Sequence, residues 1–116
     1  TYCASKAGLD EVTAILRQEL EEKNIGVANV IPGEVDTRIQ EILRDTKTFF
    51  LRDIFIEAKE NGKLISPKIC SNFLKWFLCD LCFDEYKTSA MPQTIYDKTH
   101  HKYWLSNSKD LPDFPF

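Results

Sequence analysis

Val27-Ala28-Asn29-Val30-Ile31-Pro32-Gly33-Glu34-Val35-Asp36-Thr37 is the stretch that decides the fold. Its first five residues are nearly continuously apolar, as expected of a parallel strand covered on both faces. Pro32-Gly33 ends that strand, because proline has no N–H for a ladder and glycine permits the turn. Upstream, residues 4 to 23 read as one amphipathic helix. Leu9, Val12, Leu16 and Leu20 recur at three- and four-residue steps, with Ile15 widening the stripe. Asp10, Glu11, Arg17, Gln18 and Glu21 take the other faces, and Asn24 with Gly26 supplies the stop. A helix feeding a buried parallel strand points to the α/β class.

Downstream, residues 37 to 62 hold helical signals interrupted at Lys47-Thr48. Ile39, Ile42 and Leu43 form one short stripe, and Phe49, Phe50, Ile54 and Phe55 another. Ser66-Pro67 has the chemistry of an N-cap followed by the first helical residue. The helix it opens is expected to run to about Cys82 and to bury Ile69, Phe73, Leu74, Phe77, Leu78 and Leu81. Gln93 to Tyr96 reads as a last strand. Residues 99–116, with two prolines and scattered polar residues, read as a tail.

The chemistry-bearing motif stands at the start of the first helix. In Tyr2-Cys3-Ala4-Ser5-Lys6 the four-residue spacing puts the phenol and the ammonium on one helical face, a turn apart. A phenol titrates near pH ~10 and is by itself a poor acid or base at neutrality. A neighbouring ammonium favours the phenolate and draws that pKa toward the working range.

Tyr-x-x-x-Lys opening a helix, then a strand ending in Pro32-Gly33 with Thr37 beyond, resembles the short-chain dehydrogenase/reductase family. That resemblance implies the C-terminal portion of a Rossmann-type, doubly wound parallel sheet. Residues 1–98 would be the C-terminal part of the domain and 99–116 a tail outside the family pattern. The nucleotide-binding N-terminal half is expected to be missing. The chain starts one residue before the tyrosine, and Gly8, Gly26, Gly33 and Gly62 form no phosphate-binding cluster. Tyr2 would donate a proton to a substrate carbonyl as hydride arrives from NADP(H). Lys6 would lower the Tyr2 pKa and hydrogen-bond the nicotinamide ribose. Pro32, Gly33 and Val35 would line the nicotinamide, and the Thr37 hydroxyl would bind its carboxamide or the phosphates. Residues 37–62 would be the substrate lid. A homodimer of the full-length protein, packed through the helix that carries Tyr2, is implied as well.

A closer similarity, to the sepiapterin reductases within that family, rests on several segments. These are Tyr2-Cys3-Ala4, Pro32 to Gln40, Asn61-Gly62-Lys63-Leu64-Ile65, Asp84-Glu85-Tyr86-Lys87-Thr88-Ser89 and Ile95-Tyr96-Asp97-Lys98. It implies a pterin substrate and a place in tetrahydrobiopterin biosynthesis. One position departs. Where those enzymes anchor the pterin with an aspartate, this chain has Thr94, whose neutral hydroxyl cannot offer a carboxylate's two-point, charge-assisted bonding. A broader diketone or carbonyl reductase is therefore the alternative substrate reading. An inert chain acting only through its dimerisation helix is the alternative outside enzymology.

Composition narrows the partners. The 116 residues are 43% hydrophobic with a net charge of −3, which suits a globular chain and gives no affinity for nucleic acid or an anionic membrane. No apolar run approaches the ~20 residues that span a bilayer. Cys70, Cys79 and Cys82 fall in the helical apolar pattern, where free thiols act as small hydrophobes. Cys79-x-x-Cys82 lacks the second close pair that a zinc site needs, so no metal is expected. Reduced thiols imply a reducing compartment, hence a cytoplasmic location.

Overall fold

The computed structural model describes residues 2–81, 85 and 92–113, with the backbone alone at positions 2 and 3. Helix α1 spans Tyr2–Leu20 and tightens into a 3₁₀ turn at Glu21–Lys23. Asn24 stops it with a left-handed backbone, φ 56°, a region asparagine enters more readily than most residues. Strand β1, Val30–Ile31, pairs in parallel with β2, Gln93–Thr94, Val30 facing Gln93 and Ile31 facing Thr94. The Gln93 N–H donates to Asn29 O at 2.9 Å and the Ile95 N–H to Ile31 O at 3.0 Å. The two expected strands therefore meet, over fewer residues than the apolar runs suggested. Val35 and Ile65 add a further parallel bridge.

Helices α2, Arg38–Asp45, and α3, Arg52–Glu60, form a hairpin where the sequence shows its two stripes. At the bend the Phe49 ring lies 5.6 Å from Phe50 and 5.7 Å from Phe55. Helix α4, Pro67–Lys75, starts as read: Ser66 Oγ accepts the Ile69 N–H at 3.3 Å, with proline at the first position. It continues through Trp76–Asp80 as a π-helical turn, in which the Leu81 N–H reaches back five residues to Trp76 O. That wider turn rotates the buried face. Leu78, expected inside, is 73% exposed, while Trp76 is buried.

The core gathers Ile65, Ile69, Cys70, Phe73, Trp76, Phe77, Ile95 and Trp104. Trp104 belongs to helix α5, His101–Trp104, inside the segment read as a tail. Its ring lies 5.4 Å from Phe73, so at least this part of the segment completes the core instead of trailing from it. Cys70 is buried, and burial pushes its thiol up. Cys79 is exposed, against expectation, because it too sits on the π turn; Cys82 lies outside the described residues.

Candidate active site

Helix α1 meets the sheet through polar side chains. The Thr13 hydroxyl lies 2.9 Å from Leu9 O and 2.8 Å from Asn29 Oδ1, its one proton shared between two acceptors. Asn29 Nδ2 donates to Asp10 Oδ1 at 2.7 Å, and Arg17 Nε donates to Val27 O at 3.1 Å. The apolar stripe stays largely exposed, Leu9 and Val12 each at 52%. Asn29 thus interrupts the apolar strand for a reason: it receives the helix.

These contacts fix a direction. Thr13 stands beside Asn29 and Arg17 beside Val27, so helix and strand run antiparallel. Four helical residues advance about 6 Å and two strand residues about the same, so the register is self-consistent. Continued for the seven residues from Thr13 back to Lys6, about 10 Å of helix, it levels Lys6 with residues some three beyond Asn29, at Pro32-Gly33. Lys6 is exposed on α1; the Tyr2 side chain lies outside the described residues.

The loop after β1 is held from several sides. Gly33 has φ 74°, a left-handed conformation. Val35 is fastened by its bridge to Ile65, while Pro32 and Thr37 are exposed. Both carboxylates of the loop are tied to the α2–α3 hairpin. Gln40 Nε2 donates to Glu34 Oε2 at 2.8 Å, and Lys59 Nζ pairs with the Asp36 carboxylate. Thr37 is the N-cap residue of α2 yet makes no side-chain capping bond. Its hydroxyl and the first amides of α2 are donors of the kind an amide or a phosphate needs.

Thr94, at the end of β2, is half-buried. Its hydroxyl accepts the Tyr96 N–H at 3.4 Å, and its carbonyl lies 3.0 Å from His100 Nε2. Burial raises the Tyr96 phenol most strongly; the Glu34 amide pulls it back and the Glu34 carboxylate adds to the rise. A groove of about 680 Å³ is lined by Trp76, Asp80, Asp97, His100 and Tyr103 among others, and by none of the candidate catalytic, cofactor or substrate residues read from sequence. Of those, the structure groups Pro32, Gly33, Val35 and Thr37 in one loop; Thr94 stands at the end of the strand paired with β1. Sequence reading assigned no role to Asn29, Gln40, Lys59 or Tyr96. Only Asn29, a polar residue inside an apolar strand, carried a visible signal.

Residues 1–48 match the family model for short chain dehydrogenases. Benzil reductase ((S)-benzoin forming) of Bacillus cereus is 38% identical over 78 residues, 64% of this chain and 31% of that protein. The Bacillus subtilis protein of that name is 36% identical over 77 residues, 63% and 32% of the two chains. Sepiapterin reductase of Xenopus tropicalis is 33% identical over 88 residues, 75% and 32%. No solved structure matches significantly. The chain belongs to the short-chain dehydrogenase/reductase family. It spans about a third of the length of the curated relatives it matches.

Proposed function

We propose that the protein carrying this chain is a cytoplasmic, NADP(H)-dependent carbonyl reductase whose substrate is a small aromatic diketone. The observation that carries this reading is the antiparallel register of α1 on β1 seen at Thr13–Asn29 and Arg17–Val27, which, extended along the helix to Lys6, supports a place for its ammonium beside the Pro32-Gly33 loop. In that arrangement the Tyr2 phenol donates its proton to the substrate carbonyl oxygen. The Lys6 ammonium stabilises the phenolate left behind and hydrogen-bonds the ribose of the cofactor. NADP(H), when bound, supplies the hydride. Pro32, Gly33 and Val35 line its nicotinamide end, and the Thr37 hydroxyl, with no capping bond of its own, donates to it.

The diketone is favoured over a pterin by Thr94, which has no carboxylate and whose hydroxyl accepts the Tyr96 N–H from the turn after its strand. Two of the relatives are benzil reductases. Sepiapterin is the second reading, supported by the similarity to the Xenopus enzyme across 75% of the chain. The exposed Leu9–Val12–Leu16 stripe of α1 supports a homodimer packed through that helix. The test follows NADPH consumption with benzil and with sepiapterin, in wild type and Tyr2→Phe. Loss of the acid should lower kcat by roughly 10²–10⁴-fold while leaving NADPH affinity nearly unchanged. A variant retaining more than about a third of the wild-type rate would remove Tyr2 from the chemistry.

A further inference from the structure

His100 is only 6% exposed and sits among aromatic rings, 4.6 Å from Trp76, 5.4 Å from Phe73 and 5.9 Å from Trp104. Both its nitrogens are engaged. Trp104 Nε1 donates to Nδ1 at 2.8 Å, and Nε2 lies 3.0 Å from the Thr94 carbonyl oxygen. An indole N–H can only donate and a carbonyl can only accept. Nδ1 must therefore be bare, and the single proton must sit on Nε2. One neutral tautomer satisfies both bonds. A second proton would set an N–H against the Trp104 N–H, inside the core.

The adjoining carbonyl is held similarly: His101 Nε2 lies 2.8 Å from Ile95 O. Two successive carbonyls at the end of β2 thus meet imidazoles from the segment that follows. The next residue, Tyr96, is the one packed against Gly33. A path of contacts runs from His100 through the end of β2 to the Pro32–Thr37 loop.

We propose that His100 is a proton-sensitive latch. Neutral, it fastens residues 99–113 to the end of β2 and holds Tyr96 against Gly33; protonated, it lets the segment go. The latch does not depend on the reductase reading.

Burial is the strongest influence on His100 and lowers its pKa; the Thr94 carbonyl and the Asp97 carboxylate raise it, and His101 lowers it. The charged or titratable groups around it are Asp97 on the preceding turn, His101, Lys102 and Tyr103 on α5, and Asp80 and Glu85 across the groove. Lys75 of α4 lines a second hollow with Trp76 and Trp104, and Cys70 is in the same core. Neither ring nitrogen is left for a carboxylate to bond. Because the folded form holds the proton less well than an unfolded chain does, the latch weakens as pH falls through the ordinary histidine value of ~6.5 toward the lowered one.

Trp76 and Trp104 are the two tryptophans of the chain, and both touch His100, so fluorescence reads the latch directly. Titrated from about pH 8 to 5, wild type should show a transition centred below ~6.5, with cleavage at Lys102 and Lys109 by trypsin rising in step. His100→Gln can accept from Trp104 and donate to Thr94 without titrating, and should remove the transition; His101→Gln should keep it. Should His100→Gln fail to fold, ring nitrogen shifts of the wild type decide: the Nε2–H tautomer at neutral pH, with imidazolium forming alongside the fluorescence change. A flat wild-type titration, a transition that survives His100→Gln, or an Nδ1–H tautomer would overturn the latch.

Discussion

The Tyr96 phenol oxygen stands 2.7 Å from the point where a Cβ on Gly33 would be, and Ile65 Cδ1 is nearer still. The glycine is demanded by the protein's own packing, whatever the loop binds. Gly33→Ala should cost a few kcal/mol, adding overpacking to the strain of φ 74°. Gly62 also has a left-handed backbone, φ 64°, with nothing within 4 Å of its Cβ position, so Gly62→Ala should cost only about 1 kcal/mol. Urea unfolding of both variants checks this. Equal costs would mean that Tyr96 and Ile65 move aside freely.

Ser66 caps α4, which together with its π turn supplies most of the core. Ser66→Ala should lower stability by about 1 kcal/mol and Ser66→Asp should largely restore it, as caps generally behave. Thermal unfolding of the pair reads this. No loss on Ser66→Ala would mean that the 3.3 Å bond contributes nothing.

Thr94→Asp separates the two substrates. A carboxylate facing a pterin's N–H donors should improve sepiapterin turnover by roughly 10–100-fold, the worth of ~1.5–3 kcal/mol for bonds to a charged group. Reduction of benzil should stay flat or fall, since an unpaired carboxylate in an apolar pocket costs desolvation. Strong wild-type sepiapterin reduction that Thr94→Asp leaves unchanged would place the pterin anchor at another residue.

Asp97 predicts a separate acid limb of stability. Its carboxylate accepts the Thr99 N–H at 2.9 Å and the Thr99 hydroxyl at 2.7 Å, and these bonds hold its pKa below the usual value. A depressed folded pKa means stability present above the ordinary aspartate value of ~3.9 and lost as pH falls through the lowered one. Unfolding followed below about pH 4 should lose that limb in Asp97→Asn. The effect is small, because the group is exposed and solvent screens it. An unchanged acid limb in the variant would show that Thr99 does nothing for Asp97.

What was legible in the sequence was what neighbours in sequence decide. Asn24 stops α1, Pro32-Gly33 ends β1, and Ser66-Pro67 opens α4, because cap chemistry and restricted backbone angles act within a few residues. The two strands, after α1 and before Tyr96, were legible as well, but their pairing was not. Tertiary structure alone decided the rest. Leu78 turned outward because a π turn changed the helical period, and no residue type announces that turn. Glu34 and Asp36 were surface charges on paper; only the folded hairpin brings Gln40 and Lys59 to them. His100 and Trp104 read as part of a polar tail. Their burial depends on Phe73 and Trp76, some 25 to 30 residues earlier, arriving on the same side of β2. Short-range signals reach one helical turn, whereas the core is set by which distant faces exclude water together.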